Sequence, residues 1–349
     1  MNNVAILGAG SWGTALAFTA AQKCERVLLW GRDEKTSAEI NRHHTNHRYL
    51  PDLVLPPSIT ATTVLTDIKD ADLVMVVVPS RSFRSVCELV AGIDLNREAI
   101  LLSCTKGIEK ETGMRMTEIL HEVLPHNPAA VLSGPNHAEE ICRRLAAAAV
   151  IGSSNAAAAQ RLQHFFTLPW FRSYTSDDVT GIEWGGAVKN IFAIAAGISE
   201  GLGLGDNARA ALVTRGLAEM TRLGMAAGGC FETFQGLSGV GDLIVTCFSN
   251  HSRNNRAGNL IGKGQRLDDI VASMKMVAEG IPNTESIYLA ARTFGVRTPI
   301  IDQVYAILYG QKPPGAALSE LLSRDPRPEN DPDSSRPAEN QVTGSGFPG

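Results

Sequence analysis

The chain has 349 residues, of which 44% are hydrophobic, and a formal net charge of −4 at pH 7. This length is enough for two sizeable cores and exceeds one compact domain of ordinary size, so we expect two domains. The charge excludes the strongly basic surface that a nucleic-acid backbone requires, and we expect no nucleic-acid partner.

The first half of the chain alternates short apolar runs with helical stretches. The runs cover residues 4–7, 27–30, 73–78, 100–103, 130–132 and 148–151. This alternation predicts an α/β fold, a Rossmann-type mostly parallel sheet covered by helices, over residues 1–178. The run at 73–78 is apolar on both faces and ends at Pro79, so we expect it in the middle of the sheet.

Beyond about residue 177 the spacing of apolar residues becomes helical. Segments rich in Ala, Leu and Ile cover residues 181–200, 207–228, 252–264, 283–294 and 300–309, without a return of strand alternation. They predict an all-α C-terminal domain over residues 179–324. The tail, 325–349, has almost nothing to bury, and we expect it to be disordered.

The N-terminus and the cysteines indicate a cytoplasmic protein. The first residues run into an apolar stretch without a basic leader, and Gly8 cuts that stretch short, so we expect neither a signal peptide nor a membrane span. The six cysteines lie far apart without a Cys-x-x-Cys pair, and we interpret them as reduced thiols.

A glycine-rich loop follows the first predicted strand directly and opens a helix over residues 14–22. It reads Gly8-Ala9-Gly10-Ser11-Trp12-Gly13, the G-x-G-x-x-G pattern of dinucleotide-binding folds. Gly8 permits a tight turn, Gly10 lets the backbone approach a pyrophosphate, and Gly13 lets the helix pack close to the sheet. The N–H groups at the helix start would hold the phosphates. We favour dinucleotide binding over a purely structural turn.

The end of the second predicted strand is where such folds contact the adenosine ribose. Arg32 could bind the 2′-phosphate of NADP, whereas Asp33 or Glu34 could bind the 2′-hydroxyl of NAD. A solvated loop in which Asp33 caps the next helix is the competing interpretation. Both NAD and NADP therefore remain candidate cofactors.

Polar residues follow three of the predicted strands, at the edge where parallel sheets bind ligands. Lys106 follows the run 100–103, the turn Gly134-Pro135-Asn136-His137-Ala138 follows the run 130–132, and Ser80 follows Pro79. In the helical half, Lys189 interrupts a strongly apolar helix, where burying an unpaired ammonium is costly. We favour a polar cavity over extension of Lys189 into solvent.

A candidate phosphate site lies at the start of another helix. Ser252 is suited to cap that helix, and Arg253 and Asn254 lie in its first turn. Arginine is disfavoured at the positive end of a helix dipole, so its presence suggests that an anion binds there. A surface helix with incidental arginines is the alternative.

A histidine cluster gives a weaker metal signal. His43 and His47 are one helical turn apart, with His44 between them, and two such histidines could ligate zinc. Because no third ligand is evident, we favour a polar loop and expect no metal.

Taken together, these segments resemble the NAD(P)-dependent glycerol-3-phosphate dehydrogenases of bacterial type, from Val4 to about Leu322. The resemblance rests on Gly8-Ala9-Gly10-Ser11-Trp12-Gly13-Thr14-Ala15, Cys104-Thr105-Lys106-Gly107-Ile108-Glu109, Ser133-Gly134-Pro135, Ala187-Val188-Lys189-Asn190-Ile191, Gly241-Asp242-Leu243, Thr246-Cys247 and Ser252-Arg253-Asn254. It implies interconversion of dihydroxyacetone phosphate and sn-glycerol 3-phosphate, a place in glycerophospholipid synthesis, and a homodimer.

The resemblance also implies roles for individual residues. Lys189 would be the acid/base residue, and we expect Lys106 to lower its pKa while Asp242 and Asn190 orient the ammonium or a substrate hydroxyl. Implied substrate contacts are Lys106, Gly134, Asn136, Lys189, Asp242, Ser252, Arg253 and Asn254. Implied cofactor contacts are Ser11 and Trp12 in the glycine loop and, outside it, Arg32, Lys106, Ala138, Arg253 and Glu279.

One departure from the family pattern concerns the turn 134–138. Bacterial members usually read Gly-Pro-Ser-Phe-Ala where this chain has Asn136 and His137. Asn136 can replace serine as a polar contact, and no role is assigned to His137. Two other functions stay open: another two-domain hydroxyacid or ketopantoate-type reductase, which would lack the phosphate site, and a dinucleotide sensor without catalysis.

Overall fold

A computed structural model describes residues 1–274, 278–326 and 328–329. An eight-stranded sheet occupies the first half, in the order β10-β9-β8-β7-β6-β1-β2-β5, and its neighbours are parallel except β8 and β9. A separate antiparallel pair is formed by β3 and β4. The strands are β1 (Asn3–Leu7), β2 (Arg26–Trp30), β3 (Thr45–Asn46), β4 (Leu50–Val54), β5 (Ile59–Thr62), β6 (Leu73–Val76), β7 (Ile100–Ser103), β8 (Ala129–Ser133), β9 (Ala147–Gly152) and β10 (Phe171–Ser176).

Helices cover both faces of this sheet. Along β1, Ile6 packs into one core and Leu7 into the other, as the two-residue period of a strand requires. The predicted Rossmann-type sheet is confirmed. The helices of this half are α1 (Ser11–Ala20), α2 (Glu34–His43), α3 (Phe83–Ala91), α4 (Met116–Val123), α5 (Ala138–Cys142) and α6 (Ala156–Phe166).

The predicted central strand lies in the middle of the sheet, between β1 and β7, but it ends two residues early. Val76 pairs with Leu7 on one side and Ser103 on the other, and both neighbouring strands stop there. Because Val77 and Val78 have no strand beside them, the chain leaves the sheet. It then passes close to Gly8.

The second half is helical, and within the described residues no strand follows Ser176. The predicted all-α character is confirmed. Helix α13 begins three residues before its predicted start because Pro282 fits the first turn, where no N–H is needed. The helices are α7 (Val179–Gly201), α8 (Gly205–Ala226), α9 (Phe231–Phe234), α10 (Asp242–Phe248), α11 (Arg253–Gly262), α12 (Leu267–Ser273), α13 (Gly280–Thr293), α14 (Pro299–Gly310) and α15 (Pro314–Leu322).

The described residues bear on the expected absence of a membrane span and, in small part, on the C-terminal tail. Among the described helices, none has both the length and the apolar character needed to cross a membrane. The expected disordered tail, 325–349, lies outside the described residues apart from 325, 326, 328 and 329.

Helices α7 and α11 cross in very close contact, which glycines make possible. A Cβ at Gly197 would lie 2.0 Å from the Asn255 carbonyl oxygen, and a Cβ at Gly258 would lie 2.0 Å from the Ile194 carbonyl oxygen. Any larger residue at either position would force the helices apart. The crossing brings the first turn of α11 beside the middle of α7.

Candidate active site

The glycine loop leaves room for a ligand at one of its three glycines. Gly8 has φ +122°, and a Cβ there would lie 2.5 Å from the Val77 carbonyl oxygen. A Cβ at Gly13 would lie 1.8 Å from the Gly8 carbonyl oxygen, whereas a Cβ at Gly10 would meet no protein atom within 4 Å. Protein packing therefore does not require glycine at position 10, but close approach of a ligand would.

The start of α1 suits the phosphates of a dinucleotide. Gly10 is the N-cap residue and has no side chain to cap the first turn, which begins with the buried Ser11 and the half-buried Trp12. Backbone N–H groups at such a helix start bind anions. The loop residues thus fit a dinucleotide.

The end of β2 adjoins the glycine loop, since a Cβ at Gly31 would lie 2.9 Å from the Ala9 Cβ. Arg32 follows and is exposed. Asp33 caps α2, accepting hydrogen bonds from the Lys35 N–H at 3.0 Å and from the Thr36 hydroxyl at 2.9 Å. The structure therefore shows the helix cap expected of Asp33, and its contact with the ribose stays a prediction.

Two lysines from distant parts of the chain meet on one carboxylate. Lys189, in the middle of α7, places Nζ 2.9 Å from Asp242 Oδ1 and donates to Thr246 Oγ1 at 2.6 Å. Lys106 places Nζ 2.5 Å from Asp242 Oδ2 and donates to the Gly134 carbonyl oxygen at 3.1 Å. Asp242 is the first residue of α10 and is 1% exposed. Lys189 is thus buried against an anion and does not extend into solvent.

Burial and charge together tune this cluster. Burial is the largest influence on the pKa of Lys189; Asp242 opposes it, Lys106 adds to it, and the pKa is lowered to about 8. Lys106 thus lowers the pKa of Lys189 in the expected direction, but burial lowers it more. Burial alone would raise the pKa of Asp242, but Lys106 and Lys189 hold it below its usual value. A lysine with a pKa near 8 can both give and take a proton near neutral pH.

Asn190 follows Lys189 along α7 but binds different partners. Its Oδ1 accepts a hydrogen bond from Asn254 Nδ2 at 2.9 Å, and Asn254 Oδ1 accepts one from the Gly280 N–H at 2.9 Å. In the described part of the chain, no hydrogen bond joins Asn190 to Lys189. Asn190 links α7 to α11, and the contacts that orient the ammonium come from Asp242 and Thr246.

The first turn of α11 has the expected cap. Ser252 Oγ accepts a hydrogen bond from the Asn255 N–H at 3.2 Å. Arg253 begins the helix; burial lowers its pKa, while the carboxylates of Glu279 and Glu139 act in the opposite direction. A guanidinium, an amide and a helix start are therefore next to one another, a combination that suits a phosphate.

Glu279 and Asn283 bring the start of α13 to the carboxyl ends of β6 and β7. Ser80 Oγ donates to Glu279 Oε2 at 2.9 Å. Asn283 Nδ2 donates to the Lys106 carbonyl oxygen at 2.9 Å. Burial raises the pKa of Glu279, against the hydrogen bonds from Ser80 and the charge of Arg253. The helical half thereby holds the loop that carries Lys106.

The turn between β8 and α5 contains buried polar atoms that lack partners. Gly134 has φ +136° and passes close to β9. Asn136 Nδ2 donates to the Ala148 carbonyl oxygen at 3.0 Å, but its Oδ1, like Ser133 Oγ, is buried without a hydrogen-bond partner among the described residues. Ala138 begins α5 and is buried. Unpartnered buried oxygens of this kind are places where a ligand can complete the hydrogen bonding.

Neither the histidine cluster nor the cysteines form a site of this kind in the described residues. His44 ends α2 in a left-handed conformation, and His47 Nδ1 lies 2.7 Å from Glu39 Oε1. Within the described ranges, no group of three or more His, Cys, Asp or Glu side chains is placed to hold a metal ion. All six cysteines are described, and all are free thiols.

Two contacts of this site were not assigned a role from the sequence. Thr246 lies four residues after Asp242 on the same face of α10, so helical spacing could have identified it. Asn283 is 177 residues from Lys106 in the chain, and nothing in the sequence signals their hydrogen bond.

Family models match both halves of the chain. The model described as the N-terminus of NAD-dependent glycerol-3-phosphate dehydrogenase matches residues 3–159, and the model described as its C-terminus matches residues 178–319. The chain belongs to the NAD-dependent glycerol-3-phosphate dehydrogenase family. It is therefore an oxidoreductase that uses NAD or NADP, and the resemblance seen in the sequence is confirmed.

Individual members of the family match over nearly their whole length. The glycerol-3-phosphate dehydrogenase (NAD(P)+) of Enterococcus faecalis is 47% identical over 332 residues, which are 94% of this chain and 97% of that protein. The one from Lysinibacillus sphaericus is 44% identical over 335 residues, 95% of this chain and 99% of that protein.

Solved structures of this family are more similar to the chain than structures of other enzymes that share the fold. A crystal structure of glycerol-3-phosphate dehydrogenase from Coxiella burnetii is 38% identical, with a TM-score of 0.89 over 93% of this chain and 99% of that one. A ketopantoate reductase from Ralstonia eutropha is 17% identical, with a TM-score of 0.55 over 90% of this chain and 99% of that one, and shares the fold alone. The ketopantoate-type alternative is therefore not favoured.

Proposed function

We propose that the protein interconverts dihydroxyacetone phosphate and sn-glycerol 3-phosphate by hydride transfer with NAD or NADP, and that Lys189 is its acid/base residue. The observation that carries the proposal is the cluster in which the buried Lys189 and Asp242 meet the half-buried Lys106. It lies close to the first turn of α11, because Asn190, the residue after Lys189, hydrogen-bonds to Asn254. It supplies a proton donor of suitable pKa near a candidate phosphate site. A sensor without catalysis would have no use for a lysine tuned in this way.

The chain's own groups account for the proton and the charge. A bound reduced nicotinamide supplies the hydride to the ketone carbon. As the ketone becomes an alkoxide, the Lys189 ammonium donates a proton to its oxygen, and the second ammonium, on Lys106, stabilises the developing negative charge. Asp242 Oδ1, 2.9 Å from Lys189 Nζ, and Thr246 Oγ1, which accepts a hydrogen bond from it, fix the orientation of the ammonium. In the oxidative direction, neutral Lys189 accepts the proton.

The remaining site residues are proposed to bind the two ligands. The phosphate of the substrate would bind at the start of α11, to Ser252, Arg253 and Asn254, and its hydroxyl would meet the turn at Gly134 and Asn136. The dinucleotide would contact Gly8, Gly10, Ser11, Trp12, Gly13, Arg32, Lys106, Ala138, Arg253 and Glu279. The open space at Gly10 and the unpartnered Asn136 oxygen support these assignments.

Turnover by the purified protein tests the reaction. Mixed with dihydroxyacetone phosphate, it should consume NADH or NADPH, measured as loss of cofactor absorbance. Lys189→Ala should lose turnover by about a hundredfold to ten-thousandfold while its cofactor dissociation constant stays the same, since a proton donor acts in the transition state. Cofactor binding without turnover in the wild type would favour the sensor, and a Lys189→Ala variant that keeps its kcat would remove the acid/base role.

The cellular role follows from the reaction and the family resemblance. We propose that the protein is a cytoplasmic homodimer that supplies sn-glycerol 3-phosphate to glycerophospholipid synthesis. Light scattering after gel filtration would give the oligomeric state. Fractionation of the source cells would test the location.

A further inference from the structure

His137 belongs to the 134–138 turn, and its side chain does not cap the helix that follows it. It occupies the N-cap position of α5, yet its side chain makes no capping hydrogen bond. The ring is half-buried, and Nε2 is fully buried without a hydrogen-bond partner among the described residues. Leaving a buried polar atom unpaired costs about 1–3 kcal/mol, so such an atom points to a partner that the protein itself does not provide.

The 134–138 turn has contacts at both ends of the proposed substrate site. The ring of His251 has its centroid 5.7 Å from that of His137, and His251 directly precedes Ser252, the cap of α11. Three residues earlier in the same turn, the Gly134 carbonyl oxygen accepts a hydrogen bond from Lys106 Nζ of the lysine–aspartate cluster at 3.1 Å. Burial lowers the pKa of His137 most, and the positive charges of Lys189 and Lys106 lower it further. The carboxylates of Glu140 and Glu139 oppose this shift without reversing it. The imidazole is therefore neutral at neutral pH, and one of its nitrogens can donate a hydrogen bond.

Two further unpartnered atoms belong to the same short segment. Ser133 Oγ and Asn136 Oδ1 are buried and lack hydrogen-bond partners, as Nε2 of His137 does. Three such atoms within residues 133–137 are better explained by one ligand than by three separate packing defects. A ligand with one oxygen at Lys189 and a phosphate at the start of α11 would run alongside this segment.

We propose that His137 is a specificity residue of this site, whose Nε2–H hydrogen-bonds the phosphate of the substrate. The proposal rests on the proposed function. The phosphate is the fitting partner because the ring adjoins the residue before the α11 cap, whereas the reacting oxygen is served by Lys189. A phenylalanine, the residue that the family pattern leads one to expect here, could fill the same space but could not donate.

The experiment compares three variants of the full chain with the wild type. His137→Phe should raise the KM for dihydroxyacetone phosphate about tenfold to 150-fold, the size of one hydrogen bond to a charged group, with little change in kcat or in the NADH dissociation constant. His137→Gln, whose amide nitrogen can take the place of Nε2, should restore most of the affinity. His126→Phe, at an exposed histidine outside the site, is the matched control and should leave the KM unchanged.

Dihydroxyacetone without the phosphate separates a phosphate contact from a structural effect. The preference for the phosphorylated over the unphosphorylated ketone, as a ratio of kcat/KM, should fall in His137→Phe by the same factor as the KM rises. A KM within twofold of the wild type, or an equal loss with both ketones, would overturn the proposal. A wild-type protein that reduces neither ketone would instead refute the proposed function.

Discussion

Replacing Asp242 with asparagine removes the anion that the two lysines share while keeping the shape of the side chain. Asp242 Oδ1 lies 2.9 Å from Lys189 Nζ, and an opposite charge this close raises a lysine pKa by about 1–3 units. Without it, the pKa of Lys189, now about 8, should fall by that amount. A fall of about two units would reduce the protonated fraction at pH 7 from about nine-tenths to about one-tenth.

The direction of the effect follows from which form donates the proton. In the proposed mechanism, reduction of the ketone needs protonated Lys189, so in the wild type kcat/KM for reduction should be lost as the pH rises through about 8. In Asp242→Asn that loss should occur at lower pH, with about a tenfold deficit at pH 7 from protonation alone. In the same mechanism, oxidation of sn-glycerol 3-phosphate needs neutral Lys189. The increase of its kcat/KM with pH should therefore also move to lower pH in Asp242→Asn.

The assay is a pH profile of kcat/KM for dihydroxyacetone phosphate, with thermal unfolding and the NADH dissociation constant measured in parallel. Thr246→Val is the matched control, because it removes the neutral partner of the same ammonium and should move the profile much less. An Asp242→Asn profile that keeps its midpoint near 8, or moves it upward, would show that Asp242 does not set the pKa of Lys189.

Three further predictions concern the ligand contacts. Arg253→Ala should mainly raise the KM for dihydroxyacetone phosphate, since the phosphate is bound before and during the reaction alike; a change confined to kcat would speak against a phosphate site. Arg32→Ala should weaken NADPH more than NADH, and equal losses in their dissociation constants would show that Arg32 does not contact the 2′-phosphate. Gly13→Ala should destabilise the fold by about 1–3 kcal/mol, because its Cβ would lie 1.8 Å from the Gly8 oxygen. Gly10→Ala should keep the melting temperature and lose cofactor affinity, because a Cβ there meets no protein atom. A Gly10→Ala variant with unchanged affinity would show that the pyrophosphate does not bind at this loop.

Most of the sheet could be predicted because its inner strands are buried on both faces and form unbroken apolar runs, such as β6. The edge strands were missed for the opposite reason. β10, at one edge of the sheet, alternates between buried and exposed residues, and Tyr174 within it is 49% exposed. A strand that buries one face carries too few apolar residues to stand out from a loop.

The site could be predicted only where its residues belong to local patterns. The glycine loop and the Ser252 cap are read from a few neighbouring letters. The meeting of Lys106 with Asp242 spans 136 residues, and it depends on how α10 begins after the irregular turn Leu237–Gly241. The bonding of Asn190 to Asn254 likewise follows from the crossing of two helices, which no single segment encodes.

The close crossing of α7 and α11 has a consequence for which substrates can fit. One helix carries the proposed proton donor and the other the proposed phosphate-binding turn, and glycines such as Gly197 and Gly258 allow their backbones to touch. The span between donor and phosphate is therefore fixed by main-chain atoms, which do not adapt by changing rotamers. The two helices therefore select substrates by length. A ketone separated from its phosphate ester by one methylene can contact the proton donor and the phosphate site together, and a homologue longer by one carbon would have to give up one of the two contacts.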